Sequence, residues 1–213
     1  ADINEEDLSK TKETLSRVNE SLTYKCDVSS KKETKDLVNF SIKSLGSVDI
    51  LINSAGVNPR NAPKGYDFEQ IWDWVIDVNL KGSFLMSHFV VEKMKENGGG
   101  VILNIASIIG LVGYDQKISS GLNSYAHSKG GVVQLTRDMA VGYAKSNIRV
   151  NSLCPGYAKT KDDKILDHMK SLHPMGRLAE LKEIANAALF LCSEDASFIT
   201  GVNLPVDGGY TAK

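Results

Sequence analysis

The sequence predicts an α/β protein: one doubly wound parallel sheet in a single domain spanning residues 1–213. Three observations carry this. Helical and extended patterns alternate strictly along the chain. The segments 48–53 (VDILIN) and 101–105 (VILNI) are apolar at nearly every position, as expected of strands covered by helices on both faces. The 213 residues, 42% hydrophobic and 24% charged, suit one ordinary globular core.

Residues 5–20 read as a polar surface helix, and 21–26 (SLTYKC) as a short strand ended by Asp27. Residues 31–45 repeat apolar groups at helical spacing and stop at Gly46. The strand 48–53 follows, then a long helical pattern over 67–97, closed by three glycines at 98–100. After the strand 101–105, residues 123–145 read as a helix despite Gly130 and Gly131. The strand 148–153 breaks at Pro155-Gly156. Helices near 160–172 and 180–192 and a strand at 202–206 complete the chain.

Composition excludes several functions. With 25 Lys+Arg against 26 Asp+Glu, there is no basic excess for nucleic acid or for a polybasic membrane contact. No apolar run reaches the roughly 20 residues of a membrane span. Cys26, Cys154 and Cys192 form no C-x-x-C pair, and their odd number argues for a reducing, cytoplasmic setting. His88, His127, His168 and His173 lack ligand spacing, so no metal site is expected.

On a doubly wound sheet, ligands bind beyond the carboxyl ends of the strands. The residues there are Asp2, Asp27, Asn53 to Gly56, Ala106-Ser107 and Cys154 to Gly156. Each has an ordinary structural reading: Asp2, Asp27 and Ser107 as helix caps or turn formers, Gly56 as a turn residue. Asn79 is polar within an apolar helical stretch, where Asn is disfavoured. Tyr125-Ala-His-Ser-Lys129 places a phenol and an ammonium on one helix face, and such an ammonium favours tyrosinate. Spacing alone is weak, since seven tyrosines yield about one such match by accident, and Tyr157…Lys161 is a second. Tyr157, however, follows Pro155-Gly156 in a loop, whereas Tyr125 opens a helix.

Taken in order, the motifs are specific. Cys26-Asp27-Val28, Asn53-Ser54-Ala55-Gly56, Val78-Asn79-Leu80-x-Gly82, Ser107, Tyr125-x-x-x-Lys129, Ile148-Arg149-Val150-Asn151, Pro155-Gly156-x-x-x-Thr160 and Val206-Asp207-Gly208-Gly209 resemble the short-chain dehydrogenase/reductase family over nearly the whole chain. The resemblance implies a Rossmann-type fold and a cytoplasmic, homo-oligomeric enzyme, dimer or tetramer. It implies Tyr125 as general acid/base, Lys129 lowering its pKa and binding the nicotinamide ribose, and Ser107 orienting the substrate oxygen. Asn79 would hold a water in a proton relay through Lys129. Asp27 and Val28 would lie against adenine, with Asn53, Ala55 and Gly56 lining the cofactor cleft. Pro155, Gly156 and Thr160 would flank the nicotinamide. Asp2, at a strand end, would bind the adenosine ribose and favour NAD over NADP, repelling the extra phosphate.

The sequence departs from the family's pattern in three ways. The glycine-rich phosphate loop is missing, and with it a strand–helix–strand opening that is expected upstream of Ala1. The gap between Ser107 and Tyr125 is longer than usual, the extra residues falling in 114–123. Ser54 and Ala158 replace commoner residues. The expected activity is interconversion of a secondary alcohol and a ketone, with sugar alcohols or sugar acids as first substrates. A 3-oxoacyl thioester (acyl carrier protein) reductase using NADPH is the alternative. An alternative of another class is a truncated, non-catalytic assembly or regulatory subunit.

Overall fold

The computed structural model describes residues 1–18, 20–159 and 166–213. The order of elements is α1 (Glu5–Leu15), α2 (Lys31–Leu45), β1 (Ile50–Asn53), α3 (Phe68–Ile76), α4 (Gly82–Glu96), β2 (Gly100–Ile105), α5 (Ser124–Tyr143), β3 (Ile148–Pro155), α6 (Leu166–Ser171), α7 (Leu181–Cys192) and β4 (Asn203–Val206). The four strands form one parallel sheet in the order β1-β2-β3-β4. Helices pack on both faces. α2, α4 and part of α5 bury Val38, Val90, Met94 and Met139 against Ile102 and Val150. On the other face, α7 buries Leu191 against Leu103 and Leu153.

Local chemistry explains the element ends. Ser30 caps α2, accepting from Glu33 N, and Gly46 ends it at φ 85°, a conformation that costs glycine little. Asp67 and Gln70 close a reciprocal capping box on α3. Asn123 caps α5 by accepting from Tyr125 N at 3.0 Å, which holds Tyr125 in the first turn.

Two expectations are corrected. The helical pattern over 67–97 is not one α-helix: five residues, Asp77–Lys81, form a π-turn between α3 and α4. The segment 21–26 is not a full strand either. It contributes one parallel bridge, Asp2 to Lys25, separate from the sheet. Between that bridge and β1 lies a groove of about 550 Å³, walled by Val28, Leu37, Val38 and Met86. The β1 edge facing away from β2 leaves Ile50 and Ile52 half exposed. Among the described residues, backbone groups on that edge have no ladder partner, the situation that sheet edges must otherwise have covered.

A buried amide chain ties the sheet to α5. Asn53 Nδ2 donates to Asn104 Oδ1 at 2.8 Å and to Ser87 Oγ at 3.0 Å, and Asn104 Nδ2 donates to Thr136 Oγ1 at 2.9 Å. Asn104 is fully buried. Asn104→Ala leaves polar groups of both neighbours short of a partner, which costs about 2 kcal/mol. Urea unfolding should show that loss as a lower midpoint at unchanged slope.

Candidate active site

The carboxyl ends of β1, β2 and β3 open into a cavity of about 730 Å³. Ser54, Gly56, Ser107, Tyr125, Lys129, Pro155 and Gly156 all line it. Residues spread over a hundred positions of sequence thus meet in one cleft.

Tyr125 and Lys129 are positioned by α5, and α5 is seated by a glycine. A Cβ on Gly131 would lie 2.6 Å from Leu80 Cδ2 of the π-turn, so any larger residue would have to push the Leu80 side chain aside. Lys129 is buried, and its Nζ donates to Ile105 O at 2.6 Å, at the end of β2. Burial lowers its pKa to about 8. Its Nζ lies 5.7 Å from the centroid of the Tyr125 ring.

Ser107 follows β2, and its Oγ accepts from Ile109 N at 3.2 Å, so its proton is free for another acceptor. The Ser107 hydroxyl stands beside the Tyr125 phenol, and the long intervening segment does not separate them. Tyr125 corrects one expectation. Burial raises its pKa; the Ser107 hydroxyl and the more distant Arg60 charge only partly offset this. The Lys129 amine, 5.7 Å from the ring centroid, does not reverse that direction.

Asn79 sits at the centre of the π-turn and is fully buried. Its Oδ1 accepts from Val57 N at 2.7 Å, and its Nδ2 donates to Val57 O at 3.0 Å and to Ser128 Oγ at 3.0 Å. The amide therefore clamps the loop after β1 to α5. π-turns of this kind cluster at functional sites, and this one puts Asn79 where a plain helix would not. A methyl on Gly56 would lie 3.4 Å from Asn79 Oδ1 and 3.6 Å from Lys129 Nζ, so Gly56 keeps the space before both groups open.

Other expected site residues lie elsewhere. Asn53 and Ala55 line the groove beside β1, with Val28, and the Asn53 amide points into the buried chain described above. The Asp27 carboxylate is taken up by its own turn, accepting from Ser29 N at 2.9 Å and Ser29 Oγ at 2.7 Å. Asp2 is exposed at the bridge, its Oδ1 accepting from Asn4 N at 2.9 Å. Thr160, like Lys161 of the second Tyr/Lys match, lies outside the described residues. Asp207 organises the last turn by accepting from Gly209 N, Thr211 N and Thr211 Oγ1. Tyr210 thereby packs edge-on against Tyr157, with ring centroids 6.0 Å apart.

Asn58, Arg60 and Trp74 complete the cavity wall beside Tyr114, Ile118 and Met169, and no sequence motif marks those three. Asp115, at the start of the 114–123 segment, meets His168 of α6 at 2.8 Å, which joins the extra residues to the segment after β3.

A doubly wound sheet with a serine, a tyrosine and a lysine gathered at its strand ends is the framework of a nicotinamide-dependent oxidoreductase. Comparison with known proteins agrees. A family profile described as Enoyl-(Acyl carrier protein) reductase matches residues 1–211. The chain is 38% identical over 192 residues to the cyclohexanol dehydrogenase of Acinetobacter sp. (strain SE19), which covers 89% of this chain and 74% of that protein. It is 38% identical over 211 residues to the NAD-dependent glycerol dehydrogenase of Listeria innocua, covering 95% of this chain and 80% of the relative. A crystal structure described as a short-chain dehydrogenase/reductase from Burkholderia xenovorans superposes with a TM-score of 0.88 at 36% identity, covering 99% of this chain and 83% of that one. The chain belongs to the short-chain dehydrogenase/reductase family. It is an oxidoreductase acting on CH–OH groups.

The family implies a nicotinamide cofactor, and the residues present fit its nicotinamide–ribose half. Lys129 gives one of three N–H donors to Ile105 O, which leaves two that would meet ribose hydroxyls. Gly56 leaves room before it. No helix among the described residues is long and apolar enough to cross a membrane.

Proposed function

We propose that this chain interconverts a small secondary alcohol and the corresponding ketone with NAD, and that Ser107, Tyr125, Lys129 and Asn79 carry the proton chemistry. The observation that supports this reading is the convergence of Ser107, Tyr125 and Lys129 on one cavity from β2 and α5. The cofactor supplies or accepts the hydride at the carbinol carbon. Tyr125 exchanges the proton of the substrate oxygen. Ser107, its oxygen already occupied by Ile109 N, donates to that same oxygen and holds it in place. Lys129 binds ribose hydroxyls and passes protons onward. Asn79 keeps the loop that carries Gly56 closed against Lys129.

NAD is preferred over NADP in this reading because Asp2, an exposed carboxylate at the bridge to Lys25, would bind the adenosine ribose hydroxyls and repel an added phosphate. The wall offers Trp74, Ile109, Ile118 and Met169 beside Asn58, Ser119 and Asn123, which suits a compact ring or a short polyol, such as a sugar alcohol or sugar acid. We also assign the protein to the cytoplasm as a homodimer or homotetramer. α4 exposes Phe84 and His88 as a stacked pair, and α5 exposes Val141, apolar surface of the kind that association covers.

The test is a titration with NADH followed by fluorescence, then turnover of cyclohexanol, glycerol and sugar alcohols with each cofactor. Saturable binding, removed by Gly56→Trp, and faster turnover with NAD than NADP are expected. Folded protein that binds neither cofactor would refute the enzymatic reading in favour of a non-catalytic subunit.

A further inference from the structure

We propose that Arg60 is a specificity-determining residue that binds a carboxylate on the substrate, so that the preferred alcohol is a hydroxy acid with an apolar body. The proposal rests on the functional reading above for the alcohol, and on separate observations for the acid.

Arg60 lies on a one-turn helix, Pro59–Asn61, directly after the loop that Asn79 clamps. It lines the same cavity as Ser107 and Tyr125. Among the described residues the cavity wall contains no Asp or Glu, and its other cation is Lys129, which gives one of its three N–H donors to Ile105 O. Among the described residues, Arg60 makes no ion pair. The nearby acid, Asp115, is engaged by His168 at 2.8 Å. The Arg60 charge reaches the reacting groups, since it draws down the pKa of both Tyr125 and Tyr114. The same wall presents apolar surface from Trp74, Tyr114, Ile118, Tyr157 and Met169 beside the polar Asn58, Ser119 and Asn123.

A guanidinium in a cleft without acids attracts anions. Its planar fork suits a carboxylate, which it can bind through two parallel hydrogen bonds. Such a pair adds orientation as well as affinity: it fixes one end of the substrate while Ser107 and Tyr125 hold the carbinol oxygen at the other. A charge-assisted bond of this kind is worth at least a tenfold gain in affinity over the uncharged match.

The wall itself supplies the probe, because Trp74 lines the cavity and the chain has one other tryptophan, Trp72. In a Trp72→Phe background, Trp74 fluorescence is followed during titration with cyclohexanecarboxylate and, as the uncharged match, cyclohexanol. The carboxylate should bind at least tenfold more tightly. Arg60→Gln should bring the ratio of the two affinities near one, and Arg60→Lys should keep part of it. Added salt should weaken only the carboxylate. Equal binding of the two ligands, no binding of either by folded protein, or a ratio that survives Arg60→Gln would each overturn the proposal. Turnover separates the two claims. Oxidation of cyclohexanol without any preference for hydroxycyclohexanecarboxylate sinks the role of Arg60 and leaves the enzyme. Arg60-dependent carboxylate binding without nicotinamide-dependent turnover sinks the enzymatic reading and leaves the anion site.

Discussion

Tyr125→Phe should lower kcat by about a thousandfold while NADH still binds, because the ring stays and only the proton partner is lost. The site geometry makes this the largest single effect. Ser107 can still polarise the substrate oxygen, but it does not supply the proton that Tyr125 exchanges. Tyr157→Phe is the control: Tyr157 lines the same cavity, yet its hydroxyl is buried without a hydrogen-bond partner among the described residues. Unchanged turnover in Tyr125→Phe, or an equal loss in Tyr157→Phe, would remove Tyr125 from its assigned role. Direction follows from the raised pKa of Tyr125. A phenol that holds its proton is ready to donate, which suits reduction of a ketone. Oxidation needs the deprotonated form, so its rate should climb through the alkaline range, close to tenfold per pH unit while that form is scarce. The reverse reaction should not climb. A pH–rate profile in both directions with saturating substrate checks this.

The second large effect concerns Lys129. Lys129→Met should abolish most turnover, yet it should make the folded protein more stable at neutral pH. Burial lowers the lysine pKa from 10.5 to about 8, a shift worth about 3 kcal/mol against the charged form. Between these two values the unfolded chain binds more protons than the folded one, so stability rises with pH there. Below about pH 8 the penalty for burying the ammonium is present in full. Above 10.5 it is gone. The stability advantage of Lys129→Met should therefore be greatest below pH 8 and shrink by about 2 kcal/mol by pH 9.5. Comparing the two proteins by urea denaturation cancels the cysteines and tyrosines, whose raised pKa values act in the opposite sense. A gap that is constant with pH would mean that Lys129 is not buried as an ammonium. If confirmed, the lysine is kept at a cost to stability, as expected of a group retained for chemistry.

Much of the fold could be read directly because its determinants are local. Ser30 and Gly46 bracket α2 with a cap at one end and a positive φ at the other, and both signals lie within a turn of the helix they end. The apolar runs of β1 and β2 require cover on both faces, which by itself implies a parallel sheet flanked by helices. The Tyr125–Lys129 spacing is likewise a property of one helix.

What escaped the sequence depends on contacts between distant residues. The π-turn at Asp77–Lys81 breaks an otherwise continuous helical pattern, because Asn79 gains bonds to Val57 and Ser128, 22 and 49 residues away. Periodicity cannot register such partners. The place of Arg60 in the cavity wall follows from how the loop after β1 folds over α5, and no motif marks it.

The sequence alone therefore determined the doubly wound class and the order of its elements, since caps, apolar runs and helical spacing act over a few residues; the candidate proton-transfer groups came from the resemblance its ordered motifs carry. Only the tertiary structure decided how those groups are poised. Burial, not the neighbouring ammonium, dominates the Tyr125 proton; the insertion at 114–123 leaves Ser107 beside it; and an arginine that has no ion pair among the described residues faces the same space. Each of these depends on desolvation and on charges brought together by folding, and neither quantity is a property of a residue until the rest of the chain surrounds it.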